Sequence, residues 1–142
     1  MTDCQRLAQA AEECIGAPYR LRGRSLATGV DCIGLVVTCL ARIGRSLDIP
    51  ANYQLRNSAI ASLVDKVDFA GVQLAQGDIA SGDIVLARPG PAQHHLLIAT
   101  SPDRFVHAHA GLRRVVAMPG PIPWPVLSRW RLSETPVAEV EI

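Results

Sequence analysis

GVDCIGLV, residues 29–36, sets an acidic residue and a cysteine at the lip of an apolar run. The run continues through VTCLARI to Gly44, and the whole of 32–43 reads as a helix with a glycine stop. Leucine, isoleucine and valine follow one another with little polar relief, so this helix needs cover on several sides and belongs at the centre of the core. Asp31 stands where such a helix wants a cap, because its carboxylate can accept the free backbone N–H groups of the first turn. The rest of the chain has to be arranged around this segment.

Upstream, residues 2–14 read as an amphipathic helix. Leu7, Ala10, Ala11, Cys14 and Ile15 recur on one face, Thr2 or Asp3 serves as cap, and Gly16 and Pro18 end it. The connecting PYRLRGRSLATGVD is rich in glycine and charge, and reads as a loop. A further helix is expected over 58–69, with Ile60, Leu63, Val64 and Val67 on its apolar face. From Gly82 the character changes: DIVLAR, HLLIATS, RFVHAHA and LRRVVAM are short apolar or alternating runs parted by proline, glycine or aspartate. They predict a meandering antiparallel sheet, to which SRWRLS adds a last strand. Helices first and strands second is the order of an α+β domain, with N-terminal helices packed on a C-terminal antiparallel β-sheet, not of alternating βαβ units.

A chain of 142 residues supports one such core. We expect a single domain over 1–133 and a flexible C-terminal tail, ETPVAEVEI, over 134–142. An apolar share of 49%, a charged share of 19% and a net charge of +1 exclude a disordered chain, and no long basic tract points to nucleic acid. Arg20, Arg22 and Arg24 form a short positive run suited to a carboxylate or phosphate partner. The start, MTDCQRLAQAAEECIG, is not a secretory leader, and no apolar run is long enough for membrane insertion. The protein is therefore expected to be cytoplasmic when synthesised, with delivery elsewhere left to a larger particle or to lysis.

Four cysteines, at 4, 14, 32 and 39, contain no CxxC. Cys32 and Cys39 on one helix lie about 10 Å apart along its axis, beyond disulfide reach and awkward for one tetrahedral metal ion. Cys39 therefore reads as a small core residue, and Cys4 and Cys14 as packing residues or bystanders. Cys32 differs by its place, since free N–H groups and the positive end of a helix dipole favour a thiolate there and would stabilise an oxyanion formed by its attack on a carbonyl.

Such a nucleophile needs a base, and all four histidines fall after DIVLAR. On strands, His94 and His95 point to opposite faces while His107 and His109 share one. SPDR fits a tight turn between the two runs, so a hairpin is expected. An even pairing sum near 202 or 204 would bring His95 to His107, on one rung or on neighbouring rungs, whereas an odd sum would favour His94. The arrangement sought is Cys32, then His95 as general base and acid, then His107 to orient it. Tyr19 can offer its hydroxyl to substrate or oxyanion. Asp83 most simply orders the turn before a strand, and Trp124 and Trp130 read as core or groove wall.

With these residues assembled, the sequence resembles the NlpC/P60 family of papain-like cysteine peptidases. The likeness rests on GAPYRLRG, GVDCIGLV, SGDIVLA, HLLIATSPDRFVHAHAG and SRWRL, in the family's order from Gly16 to Leu132. It implies a papain-like α+β fold and cleavage of bacterial peptidoglycan stem peptides, commonly between γ-D-glutamate and a diamino acid. It implies Cys32 as nucleophile, His95 as base, His107 as orienting residue, Tyr19 and Asp31 as substrate or oxyanion contacts, and no metal or organic cofactor. Ile33 stands where the family usually has serine, Leu21 where many members have tryptophan, and Arg22 where glycine is common, departures that bear on the groove more than on the chemistry. The short catalytic region without a wall-binding module is similar to peptidases of phage tails and phage-like particles, whose proteins would then be partners. An amidase or acyltransferase acting on another substrate and a noncatalytic phage-tail assembly protein remain the alternatives.

Overall fold

A computed structural model describes residues 1–46, 71–91 and 93–133. The helix expected over 58–69 and the tail over 134–142 lie outside the described residues.

Helix α1 is Asp3–Glu13, and Thr2 caps it through a reciprocal box with Gln5: the Gln5 N–H donates to Thr2 Oγ1 at 3.1 Å and the Thr2 N–H to Gln5 Oε1 at 2.9 Å. Helix α2 is Cys32–Arg42, capped by Asp31. It gives way at Gly44, whose φ of +86° is one that side chains with a Cβ avoid. Between the helices the loop closes a small ribbon, β1 (Arg24–Ser25) against β2 (Gly29–Val30). Two-residue strands carry no alternation to read, so this ribbon was invisible in the sequence.

The large sheet holds β3 (Val72–Leu74), β4 (Ile84–Ala87), β5 (His95–Ser101), β6 (Arg104–His109), β7 (Arg114–Pro119) and β8 (Val126–Leu132), in the order β3-β8-β4-β5-β6-β7 with every pair antiparallel. From β4 to β7 it is the expected meander. The last strand does not extend that meander; it returns to lie between β3 and β4. There its main chain is paired on both sides, and Trp130 and Leu132 are covered by the helices' side of the core.

Alternation gives the sheet two different faces. Ile84, Leu86, Leu96, Ile98, Val106, Ala108, Val115 and Trp130 pack with Leu7, Ala11, Leu35, Val36 and Leu40 of the helices. Val85, Ala87, Leu97, Ala99 and Phe105 face the other way, under Ile79, Met118, Ile122 and Trp124. Each large aliphatic side chain buried here stabilises the fold by about 1.5–3 kcal/mol before entropy is counted. The Asp83 carboxylate is buried with them. Asp83, 0% exposed, accepts from Arg131 Nε at 2.7 Å, Arg129 Nη1 at 2.9 Å and the Ala80 N–H at 3.0 Å. Burial pushes its carboxyl up, but Arg131, the Ala80 amide and Arg129 together outweigh that and hold it below the usual range. Asp83 thus orders the turn into β4, as its place after Gly82 suggested, and also pins the end of β8 to it.

Candidate active site

The cap of α2 sets the first half of the site. Asp31 Oδ1 accepts the Gly34 N–H at 2.8 Å, and Oδ2 accepts the Arg22 N–H at 2.8 Å. One carboxylate thus joins the first helical turn to the preceding loop, where Arg22 is held at a φ of +62°. Gly34 passes so close under that loop that a Cβ on it would lie 2.0 Å from the Gly23 carbonyl oxygen. Both oxygens of Asp31 are occupied by main-chain donors, which makes it the anchor of the nucleophile's turn.

Cys32 follows, and it is only 2% exposed. Burial pushes its thiol up to about 12, against the pull of the Leu96 amide; the Asp31 charge adds to the rise, and the Ile33 and Cys32 amides oppose it. The thiolate expected from the helix terminus is therefore corrected to a thiol at rest. A half-charge of helix dipole does not match the loss of water around a sulfur anion at this depth.

The second half of the site comes from the β5–β6 hairpin. Ile98 pairs with Val106 and Ala99 with Phe105, a constant sum of 204, which sets His95 and His107 on neighbouring rungs of one face. His95 Nε2 lies 2.8 Å from His107 Nδ1, with ring centroids 5.0 Å apart and planes at 83°. Trp124 stands edge-on to both rings, its centroid 5.9 Å from that of His95 and 6.3 Å from that of His107. Burial lowers His95 to about 4, helped by the charges of His107 and His109; burial and then His109 lower His107 to about 4 as well. Both rings are neutral at pH 7. His109 shares their face at 5.6 Å from His107, and its Nδ1 accepts the Leu112 N–H at 3.0 Å. His94 precedes the strand with its Nδ1 buried and unbonded among the described residues. With this register it is His95, not His94, that reaches His107.

The two halves meet at the start of β5. The Cys32 sulfur meets the amide of Leu96, the residue after His95. His95 Nδ1 makes no hydrogen bond among the described residues, and none joins the sulfur to an imidazole. Tyr19 lies within electrostatic reach of Asp31 and Cys32. Burial first, then the Asp31 charge, raises its hydroxyl above the usual range, so it stays a donor. A cleft of about 560 Å³ opens beside it, lined by Tyr19, Arg20, Leu21, Ala110, Gly111 and Arg113.

Of the arginine run, Arg20 is the member that lines this cleft. Arg20 faces this cleft with Arg113, and neither makes an ion pair among the described residues. Arg113 went unnoticed in the sequence because it reaches Tyr19 only through tertiary pairing, its carbonyl accepting the Tyr19 N–H at 3.0 Å. Trp124 as the wall of the histidine pair was only loosely foreseen. No described group of three or more His, Cys, Asp or Glu is placed to hold a metal, and no described helix is long and apolar enough to cross a membrane.

Solved structures with the same fold include NlpC2 from Trichomonas vaginalis, at 22% identity and a TM-score of 0.69, covering 95% of this chain and 48% of that one. The NlpC/P60 domain of the peptidoglycan hydrolase SagA matches at 19% identity and a TM-score of 0.59, over 82% of this chain and 88% of that one. The P60 domain of an antigen of M. avium subspecies paratuberculosis matches at 19% identity and a TM-score of 0.59, over 93% and 95%. This chain thus spans about half the length of the Trichomonas protein and nearly all of the two isolated domains. No curated protein sequence matches it significantly. The NlpC/P60 family profile matches residues 16–122, which takes in the capped cysteine, the cleft and the histidine hairpin. The chain belongs to the NlpC/P60 family, whose members are generally cysteine-dependent hydrolases of cell-wall peptidoglycan.

Proposed function

We propose that this protein is a peptidoglycan endopeptidase that cuts stem peptides at the bond between γ-D-glutamate and a diamino acid, with Cys32 as nucleophile and His95 as base. The observation that carries the reading is the 2.8 Å contact between His95 Nε2 and His107 Nδ1, one residue from the amide that meets the Cys32 sulfur. Family membership supplies the substrate class, and Arg20 and Arg113, which make no ion pair among the described residues, give the cleft a charge that suits a carboxylate-bearing peptide.

The chemistry follows from the protonation states. For His95 to take a proton at Nδ1 its own proton must sit on Nε2, donated to His107 Nδ1; His107 then carries its proton on Nε2. His107 is in this way a positioning residue that selects the tautomer of the base. Because Cys32 rests as a thiol, proton transfer to His95 accompanies attack on the carbonyl carbon instead of preceding it. Backbone N–H groups of the first turn of α2, with the Tyr19 hydroxyl, receive the oxyanion, and Asp31 holds that turn in place. His95 then protonates the leaving amine, and water enters against the thioester with His95 as base.

Release of new amino groups from purified peptidoglycan tests the assignment, and product masses identify the bond and separate hydrolysis from acyl transfer. Cys32→Ala and His95→Ala should each lose about 10³-fold or more in turnover with the fold intact. His107→Ala should lose about 10- to 100-fold, since water can replace part of its orienting bond. Full turnover by Cys32→Ala would overturn the proposal.

A further inference from the structure

Two buried thiols take no part in this mechanism. Cys14 is the C-cap of α1 and Cys39 lies in α2; they are 1% and 0% exposed, and their sulfurs are 3.7 Å apart. The two sulfurs, on different helices, are in van der Waals contact, a proximity that the spacing of cysteines along one helix did not suggest.

The surroundings make the pair reactive in one direction. Either sulfur can donate to the other across this contact, and the Arg42 guanidinium draws both thiols down against the cost of burial but meets Cys14 directly. Cys14 is thus the attacking sulfur and Cys39 the resolving one. A cleft of about 300 Å³ bounded by Ala10, Glu13, Arg42 and Ile43 opens at the same helix–helix seam, one turn from each cysteine. Glu13 and Arg42 span it with a 3.5 Å pair between side chains 55% and 44% exposed, a contact weak enough to part.

We propose that Cys14 and Cys39 form a disulfide that staples α1 to α2 when the protein meets a small-molecule disulfide such as oxidised glutathione. The Cys14 thiolate attacks one sulfur of the oxidant, giving a mixed disulfide and one released thiol. Cys39 then attacks the Cys14 sulfur and expels the second thiol, its proton passing to that thiolate. Two protein thiols are oxidised, the oxidant is reduced to two thiols, and protons are conserved.

The test uses the full chain, reduced and then incubated with oxidised glutathione. Denaturing thiol titration should show two of the four thiols lost, a peptide map should join the Cys14 and Cys39 peptides, and melting should rise by about 5–10 °C, reversibly on reduction. A Cys4→Ser/Cys32→Ser variant should keep the whole response, which separates it from the catalytic assignment. Cys39→Ser should abolish it and leave at most a mixed disulfide on Cys14. Four thiols retained, glutathione held on Cys14 in the wild type, or a crosslink to Cys4 would overturn the proposal.

Discussion

Lowering the pH from 7.5 to 5.5 should unfold this protein more readily through its two paired histidines. His95 and His107 are each lowered from 6.5 to about 4 by burial and by neighbouring imidazoles. The folded state resists protons that the unfolded chain accepts below pH 6.5, so stability rises with pH between about 4 and 6.5 and is lost on acidification through that window. For a group with these two values the loss between pH 7.5 and 5.5 is on the order of 1 kcal/mol, and roughly 2–3 kcal/mol for the two together. The choice of pH 5.5 keeps Asp83 and Glu12 out of the comparison, because both carboxyls are lowered and titrate further down. Urea unfolding at the two pH values reads the difference directly. His95→Gln/His107→Gln keeps hydrogen-bonding groups in place but cannot titrate, and should lose that part of the change, leaving the smaller one that the lowered Cys14 thiol contributes. Equal pH dependence in the wild type and the double variant would refute the reasoning.

Two further outcomes follow from close contacts. Gly34→Ala would put a Cβ 2.0 Å from the Gly23 carbonyl oxygen, so it should destabilise by about 2–4 kcal/mol in urea unfolding despite alanine's better helix propensity, and lower turnover by displacing the nucleophile's turn. Asp83→Asn leaves Arg129 and Arg131 facing a neutral group and should also destabilise by about 2–4 kcal/mol, read as a lower melting temperature; an unchanged one would mean that both guanidiniums find solvent without loss.

What could be read in advance was local or periodic. The capped helix at Cys32 was legible because Asp31 and Gly44 mark its ends, and the His95–His107 pair because hairpin register reduces to parity. What could not be read depends on depth or on partners far along the chain. Nothing in DCIG tells how much protein will cover the sulfur, and so the dipole argument overstated the thiolate. The Cys14–Cys39 contact and the Arg20–Arg113 cleft join residues that only packing brings together. The place of β8 was hidden for the same reason: alternation identifies a strand but not its neighbours.

That strand also dictates a schedule. Because β8 is threaded between β3 and β4, β3 stands apart from the rest of the sheet and β4 is an open edge until residues 126–132 have left the ribosome. A nascent chain halted earlier presents two unsatisfied strand borders at once, which is an invitation to stick to other chains. Chaperone occupancy during synthesis should therefore persist until residues 126–132 have emerged, and then fall in one step.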